Sequence, residues 1–435
     1  METTPQEVAE KSYAAQAKEW LSDKIFGCEP NPIFEEALWT AASALYDPSF
    51  RHDIYDGFQK ADACKMKTDL GAVMEANKVL DLTGDPYTRV MPKEETEYFD
   101  ESVRGGRESL GIGIQLLPNN ENPSSKSNII ETVYPGSPAD KAGLKPGDRI
   151  MSANGEQTTS ANFETIMGLL NGDKGTKVNL KIDRDGKMID VSAARDVVTV
   201  PSTISKMVNG ETLYVRMFDF LNEHTDVDLA KALKDNSNAK SILLDLRGNG
   251  GGRLDEMMET VSLFMDEGVL YKQKARDMNR DRIVETTASL DKDSIVVAGG
   301  DPIVERLPRH QNLTGDKPLV ILTDRETASA AELFTAAIKD NKRGFVIGDT
   351  TFGKGVGQST HELSNGAMVL VTSTRFERPN GEWVGDGHFH TTGIKPDHRI
   401  YNNAKADQFA PTSKEDNQYQ FALGWLKRAE RTNGN

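Results

Sequence analysis

The chain has 435 residues, 37% of them hydrophobic and 27% charged, which predicts a globular protein of roughly two to four domains. The net charge of −15 argues against nucleic acid as a partner. No apolar run is long enough to span a bilayer, so we expect no transmembrane segment.

The N-terminal sequence lacks the basic start and apolar core of a secretory signal peptide. We therefore expect either a cytosolic protein or a mature or recombinant form whose targeting segment has been removed. Cys28 and Cys64 can pair, but two cysteines neither require nor exclude an oxidising compartment.

Residues 1–100 are predicted to form a mostly helical N-terminal region. Two apolar faces recur at helical spacing. They comprise Trp20, Leu21, Ile25 and Phe26 in the first, and Phe34, Leu38, Ala41 and Leu45 in the second. Residues 53–74 are polar and ambiguous, and the Gly84-Asp85-Pro86 stretch is a turn signal.

Residues 101–197 change character and predict a small domain of strands with two helices. Strands are expected at residues 111–114, 129–133, 149–153 and 178–182, and helices at 137–144 and 163–170. This order, with the Ser-Pro-Ala-x-x-Ala-Gly-Leu run that begins at Ser137, resembles a PDZ domain. The resemblance implies a carboxylate-binding loop at Gly111, Ile112, Gly113 and Ile114. Its amides would bind the terminal carboxylate of a peptide that adds a strand to the sheet edge. The alternative interpretation is an ordinary turn before a strand.

Residues 198–400 alternate strands with helices and so predict an α/β core. Strands are expected at residues 212–218, 241–246 and 318–322, of which 241–246 is predicted to be buried, with helices at 227–233 and after the glycine run 248–252. Residues 401–435 are predicted to be a C-terminal helix with a polar tail, its apolar side formed by Phe421, Ala422, Trp425 and Leu426.

Two chemistry-bearing residues stand 25 residues apart within this core. Ser329 opens a helical pattern, and Lys354 sits between Gly353 and Gly355 after a short apolar strand. The separation leaves room for a helix, a turn and a strand, so the two side chains can meet in space. A serine needs a base to remove its proton, and a lysine amine can serve only when uncharged, which requires burial to lower its pKa.

Each residue also has a structural interpretation. Ser329 and Glu332 match a helix capping box, and most such serines only cap helices. Residues 348–354 nearly match a phosphate-binding P-loop, but Gly355 stands where that motif needs serine or threonine. Strands rather than a helix are also expected after Gly355. Spacing alone leaves the dyad and the cap-plus-loop interpretations open.

Two separated motifs resemble one known family. Thr327-Ala-Ser-Ala-Ala-Glu332 and Thr351-Phe-Gly-Lys-Gly355 are similar to the signatures of the carboxyl-terminal processing proteases, the tail-specific S41 serine peptidases that carry a PDZ domain. The resemblance covers roughly residues 84–400. It implies that Ser329 is the nucleophile, Lys354 its general base, and Gln358 the residue that orients the lysine.

The resemblance also implies an oxyanion hole formed by the backbone N–H groups of Gly251 and Ala330. The family's D-L-R-x-N-P-G-G segment falls on residues 245–252, with Gly250 in place of the proline. The expected fold is therefore multidomain α+β, with a helical N-terminal region, a PDZ domain and an α/β core like that of the ClpP/crotonase group.

The function so implied is a serine endopeptidase that cleaves polypeptides at or near their C-termini after the PDZ domain has captured an apolar tail. His388 and His390 have no third ligand nearby in sequence, which gives no metal site, and the resemblance implies no metal or nucleotide cofactor. A homo-oligomer is possible, and the family suggests the periplasm, cell envelope or thylakoid lumen. The alternative function is a non-catalytic PDZ scaffold or chaperone with an inactive protease fold.

Overall fold

The computed structural model describes residues 30–96, 108–119, 122–159, 163–277, 282–300, 303–388, 390–401 and 411–433. Cys28 and the predicted apolar face at residues 20–26 lie outside these ranges. Across the described residues, no helix combines the length and apolar character needed to cross a membrane. The chain divides into two compact units, one formed by Met1–Glu97, Met278–Arg280 and Gln358–Ser373 and the other by the remainder.

The described part of the first unit is built mainly from helices. They are α1 (Pro32–Ala44), α2 (Phe50–Lys60) and α3 (Asp69–Leu80), with short 3-10 turns at Ala63–Lys65 and Asp81–Thr83. Asn31 caps α1 by accepting the Ile33 N–H at 2.9 Å, and Thr68 caps α3 in the same way. The predicted face of Phe34, Leu38, Ala41 and Leu45 is buried in the core of this unit. Strand β1 (Arg89–Met91) pairs with residues 368–370.

The predicted PDZ segment forms a small sheet that packs on a helix. Its elements are β2 (Glu108–Gly111), β3 (Ile114–Asn119), β4 (Asn122–Val133), α4 (Pro138–Lys141), β5 (Arg149–Ala153), β6 (Glu156–Gln157), α5 (Phe163–Leu170), β7 (Lys177–Arg184), β8 (Lys187–Ala194) and β9 (Asp196–Thr199). The sheet order is β3-β4-β5-β7-β8, which places β3 at an edge among the described strands. Ile166 and Leu170 of α5 join the core beneath this sheet.

A six-stranded sheet organises the core of the second unit. Its strands are β10 (Thr203–Val208), β11 (Thr212–Met217), β12 (Ser241–Asp245), β17 (Leu319–Thr323), β18 (Phe345–Gly348) and β21 (His398–Arg399). They lie in the order β10-β11-β12-β17-β18-β21, and only the β10–β11 pair is antiparallel. Parallel strands buried on both faces are typical of α/β architecture.

Helices cover both faces of this sheet. They are α6 (Thr225–Asp235), α7 (Leu254–Ser262), α8 (Ala330–Asp340) and α9 (Asn417–Asn433). Because side chains alternate along a strand, Leu244 and Ile321 pack in the core that contains α6, α7 and α8, whereas Leu243 and Val320 pack against α9. Ala422 and Leu426 of α9 are fully buried there, as the sequence predicted.

An antiparallel meander precedes β17, and two long strands follow α8. They are β13 (Gly268–Asp277), β14 (Arg282–Leu290), β15 (Ile295–Gly299), β16 (Ile303–Leu307), β19 (Val356–Glu362) and β20 (Met368–Glu377). In the second unit, residues 374–377 of β20 pair with β13. The expectation of strands rather than a helix after Gly355 is thus confirmed, and the mixed architecture confirms a multidomain α+β protein.

Candidate active site

Three loops converge where three adjacent parallel strands end. Strand β12 leads into residues 246–253, β17 into residues 324–329, and β18 into residues 349–355. The carboxyl edge of such a sheet is where α/β proteins place their ligand and catalytic loops. Thr327 joins two of these loops because its hydroxyl donates to Leu246 O at 2.9 Å. It also reaches the third, since the Phe352 amide donates to Thr327 O at 2.9 Å.

Ser329 occupies the sharp turn between β17 and α8. Its φ of 55° and ψ of −123° are sparsely populated by residues other than glycine. Such strain persists only where neighbouring structure fixes the backbone, and it is concentrated at functional sites. A serine on a strained strand-to-helix turn is also how α/β-hydrolases expose a nucleophile. Ser329 is half-buried, so its turn can be reached from solvent.

Glu332 joins the Ser329 turn to the Lys354 loop. Its carboxylate is fully buried, and one oxygen accepts the Ser329 N–H at 2.9 Å and the Lys354 N–H at 2.7 Å. The two backbone nitrogens are therefore no farther apart than the sum of these two distances. The other oxygen accepts the Thr351 hydroxyl at 2.5 Å and the Gly353 N–H at 2.6 Å. Burial raises the pKa of Glu332, and the four donors oppose that rise.

The capping and dyad interpretations of Ser329 are thus compatible. Glu332 makes the contact to the N-cap backbone that a capping box predicts, and the same carboxylate also fixes the lysine loop.

Glycines let the Lys354 loop pack closely on residues 383–393. A methyl group at Gly353, where φ is 94°, would lie 2.8 Å from Thr391 Cγ2. At Gly355 it would lie 2.7 Å from Val384 Cβ. The close packing expected around Lys354 is therefore present, and Lys354 itself is half-buried.

Gly251 lies against the Ser329 turn. Its φ is 96°, and an added methyl group would lie 2.7 Å from Ala328 O and 2.8 Å from Ala330 N. Ala330 is the first residue of α8, so its N–H has no acceptor within the helix. The Gly251 N–H, however, donates to Asn249 Oδ1 at 2.9 Å. An oxyanion bound by this N–H would have to share it with Asn249 Oδ1 or displace that oxygen.

Gln358 has a partner that the sequence did not indicate. Its side-chain amide donates to Thr372 Oγ1 at 3.3 Å in the first unit. Its predicted role in orienting Lys354 stays a prediction.

The loop from Gly111 to Ile114 is held from one side by residues around α4. Ile112 O accepts the Ala139 N–H at 2.8 Å, and Gly113 O accepts the Ser137 hydroxyl at 3.2 Å. Gly113 has a φ of 80°, and a methyl group there would lie 2.4 Å from Ser137 Cβ. In a trans peptide the N–H points opposite to the preceding C=O, so the Gly113 amide faces away from α4.

A buried ion pair links β4 of the predicted PDZ segment to β11 of the core. Arg216 donates to Glu131 at 2.7 Å, and the two side chains are only 5% and 8% exposed. Tyr134 and Phe218 pack edge to face beside it, with ring centroids 5.9 Å apart. These contacts connect the two predicted domains within the second unit.

The roles of Glu332 and Asn249 were not predicted from the sequence. Glu332 was visible only as half of a capping box, and its spacing to Ser329 was the available signal. Asn249 follows Arg247-Gly248 in the glycine run and gave no signal of its own, because its acceptor role depends on how the loop folds back.

Family comparisons agree with the sequence motifs. The model of the family described as peptidase family S41 matches residues 211–400, and a PDZ domain model matches residues 129–184. The carboxyl-terminal-processing protease of Picosynechococcus sp. is 30% identical over 402 residues, which cover 89% of this chain and 87% of that protein. The carboxy-terminal processing protease CtpA of Bacillus subtilis is 33% identical over 78% of this chain.

The chain is shorter than several of these relatives. It spans 65% of the length of the Bacillus protein and 58% of that of a similar protein from Staphylococcus saprophyticus. Among solved structures, a photosystem II D1 C-terminal processing protease superposes with a TM-score of 0.51 at 24% identity. That match covers 85% of this chain and 92% of the other, and it supports the fold.

Proposed function

Because the chain belongs to the carboxyl-terminal processing proteases of peptidase family S41, we propose that it is a serine endopeptidase with a Ser329–Lys354 dyad. The observation that carries the proposal is the single Glu332 oxygen that accepts the amides of both residues. It brings together two residues that are far apart in sequence, on loops at the carboxyl edge of the same sheet. The proposed substrates are polypeptides cleaved at or near their C-termini.

In the proposed mechanism, uncharged Lys354 accepts the Ser329 hydroxyl proton as the oxygen attacks the scissile carbonyl carbon. The C–N bond breaks, the leaving amine takes the proton from Lys354, and an acyl-enzyme remains on Ser329. Water then attacks the ester after giving a proton to Lys354, and Ser329 recovers its proton as the new carboxyl terminus leaves.

The amides of Ala330 and Gly251 are the proposed donors to the tetrahedral oxyanion. Ala330 supports this role because it begins α8, where the helix dipole favours negative charge. Gly251 N–H is hydrogen-bonded to Asn249, so this donor becomes available when the loop shifts on substrate binding. Gln358 is the residue proposed to orient Lys354.

Tail capture by the PDZ domain is the second part of the proposal. Strand β3 is an edge strand among those described, and an extended peptide can add to such an edge. The Gly113 amide, which faces away from α4, is a candidate donor to the terminal carboxylate at Gly111–Ile114. Movement about the Glu131–Arg216 contact is the proposed gate between tail capture and cleavage. The periplasm, cell envelope or thylakoid lumen is the proposed compartment.

Cleavage of a fluorogenic peptide with an apolar C-terminal tail tests the proposal. Wild type is expected to cleave it, whereas Ser329→Ala and Lys354→Ala lose activity while keeping the wild-type circular dichroism spectrum. Equal cleavage by all three proteins would contradict the dyad. Tail binding without cleavage by wild type would support a non-catalytic PDZ scaffold instead.

A further inference from the structure

A cluster of side chains that can ligate a metal ion lies outside the proposed catalytic and peptide-binding sites. Asp226 is near the start of α6, Glu259 is on α7, and His310 follows β16. Each offers one ligand atom, and these atoms all lie within 4.8 Å of one another. His310 Nε2 is 2.5 Å from Asp226 Oδ2. No metal was expected from the sequence, in which these three residues are widely separated.

One oxygen of this cluster is buried without a partner. Asp226 is 4% exposed, and no described residue donates a hydrogen bond to its Oδ1. Buried carboxylate oxygens are satisfied by a donor, a water or a cation in almost all native structures. Two partners would satisfy this oxygen: a bound cation, or a proton shared with Glu259.

The local charge favours a cation at this position. Glu256 lies one helical turn before Glu259 on the same face of α7, and its carboxylate accepts the Asp226 N–H at 3.3 Å. Three carboxyl groups thus share a partly buried site with one imidazole, and a bound cation would offset their repulsion.

We propose that Asp226, Glu259 and His310 bind a divalent transition-metal cation of the Zn²⁺ or Mn²⁺ type. Two carboxylate oxygens and an imidazole nitrogen suit such ions, whereas Ca²⁺ and Mg²⁺ favour all-oxygen sites. His310 is 31% exposed, which gives the ion a route from solvent. Three protein ligands leave a coordination position for water.

The proposed role of the ion is structural. It would tie α6 to α7, the helix that directly follows the glycine loop at residues 248–252. The competing arrangement is a proton held between Asp226 and Glu259, with no cation bound.

Calorimetric titration of the full chain, stripped with EDTA and dialysed, tests the site with ZnCl₂, MnCl₂, CaCl₂ and MgCl₂ as probes. We expect about one Zn²⁺ or Mn²⁺ ion to bind per chain and to raise Tm. His310→Asn and the near-isosteric Glu259→Gln should weaken binding at least ~10-fold and remove the Tm shift. His390→Asn is the matched control, because it removes the exposed Asp386–His390 pair and should leave binding unchanged.

Glu259→Gln keeps the size of the side chain, so it reports on the site even if His310→Asn fails to fold. Absence of binding to wild type, or equal affinity of wild type and Glu259→Gln, would overturn the proposal. Loss of binding in His390→Asn, or preference for Ca²⁺ or Mg²⁺, would also overturn it.

Discussion

At the scale of single residues, the site depends on backbone conformations that few side chains tolerate. Ser329 stays at a φ of 55° although such strain costs ~1–3 kcal/mol. The contacts that hold it come from Glu332, whose two oxygens accept four donors from two loops. The geometry of the proposed dyad therefore depends on a residue that takes no part in the proposed proton transfers.

Glu332→Gln is predicted to lower kcat at least ~10-fold and to cost ~1–3 kcal/mol of unfolding free energy. A glutamine turns an NH₂ group towards donors that need an acceptor, so at least one amide of the site loses its partner. Peptide kinetics and urea unfolding measure the two effects. The exposed Glu223→Gln variant is the control and should match wild type. An unchanged kcat in Glu332→Gln would contradict the role of Glu332 in maintaining the geometry of the proposed dyad.

Gly251→Ala is predicted to abolish cleavage and destabilise the fold. The new methyl group would lie 2.7 Å from Ala328 O, at a φ that alanine disfavours. Loss of one oxyanion donor alone typically lowers kcat by ~10²–10³.

Gly250→Ala is the matched control for this prediction. A methyl group there would meet nothing within 4 Å, so stability and cleavage should stay near the wild-type values. Equal effects of the two substitutions, measured by peptide kinetics and thermal unfolding, would contradict the assignment of Gly251.

Candidate site residues could be predicted from the sequence, whereas their contacts could not. Ser329 and Lys354 could be selected from two motifs and their spacing. The hydrogen bond from Gly251 N–H to Asn249 could not, because it depends on the path of a glycine loop with few local preferences. The cluster of Asp226, Glu259 and His310 is assembled from three distant segments and has no sequence pattern.

At the scale of elements, a buried ionic network joins the end of β12 to the start of α9. Arg247 donates to Asp245 at 2.6 Å and to both oxygens of Asp416 at 2.9 and 2.8 Å. Tyr214 also donates to Asp245 at 2.9 Å. A planar guanidinium can satisfy two carboxylates in this way, so the network fixes the segment that leads into the glycine loop.

Stability is predicted to fall in acid through Asp245. Burial raises the pKa of this carboxyl, but Arg247, Arg216 and the Tyr214 hydroxyl together outweigh burial and hold the pKa below its usual range. A depressed folded-state pKa gives stability that is present above the unfolded-state pKa and lost as the pH falls towards the folded-state value. Urea unfolding of wild type over that acidic window should show the loss.

Asp245→Asn should be less stable than wild type near neutral pH and should lack this part of the pH dependence. Equal pH slopes for the two proteins would contradict the prediction.

Elements with strong periodicity were predicted well, and those without it were not. The strand at residues 149–153 and the helix at 163–170 lie where the pattern placed them. The meander from β13 to β16 was missed because its strands have few buried positions and no clean alternation. The ambiguous residues 53–74 contain most of α2 and the start of α3, whose buried residues pack in the core of the first unit.

At the scale of the whole molecule, the Glu131–Arg216 pair connects tail capture to cleavage in the proposed mechanism. Glu131→Gln is predicted to cost ~3–5 kcal/mol of unfolding free energy, because it leaves Arg216 buried and charged. It should also reduce the preference for a tailed over a tail-less peptide, since the PDZ domain would no longer be held to β11.

The ratio of kcat/KM for the two peptides measures this preference. The exposed Glu156→Gln variant, on the β5–β6 hairpin, is the control and should keep the wild-type ratio. If Glu131→Gln keeps the wild-type ratio of kcat/KM despite its lower stability, the ion pair takes no part in the proposed gating.

The most direct test of the dyad is covalent labelling with a peptidyl phosphonate, located by mass spectrometry of the intact and digested protein. We predict one adduct on Ser329 in wild type and none in Ser329→Ala. Labelling of Lys354→Ala should be slower by at least ~10²-fold. An adduct on another residue, or equal rates in wild type and Lys354→Ala, would contradict the account.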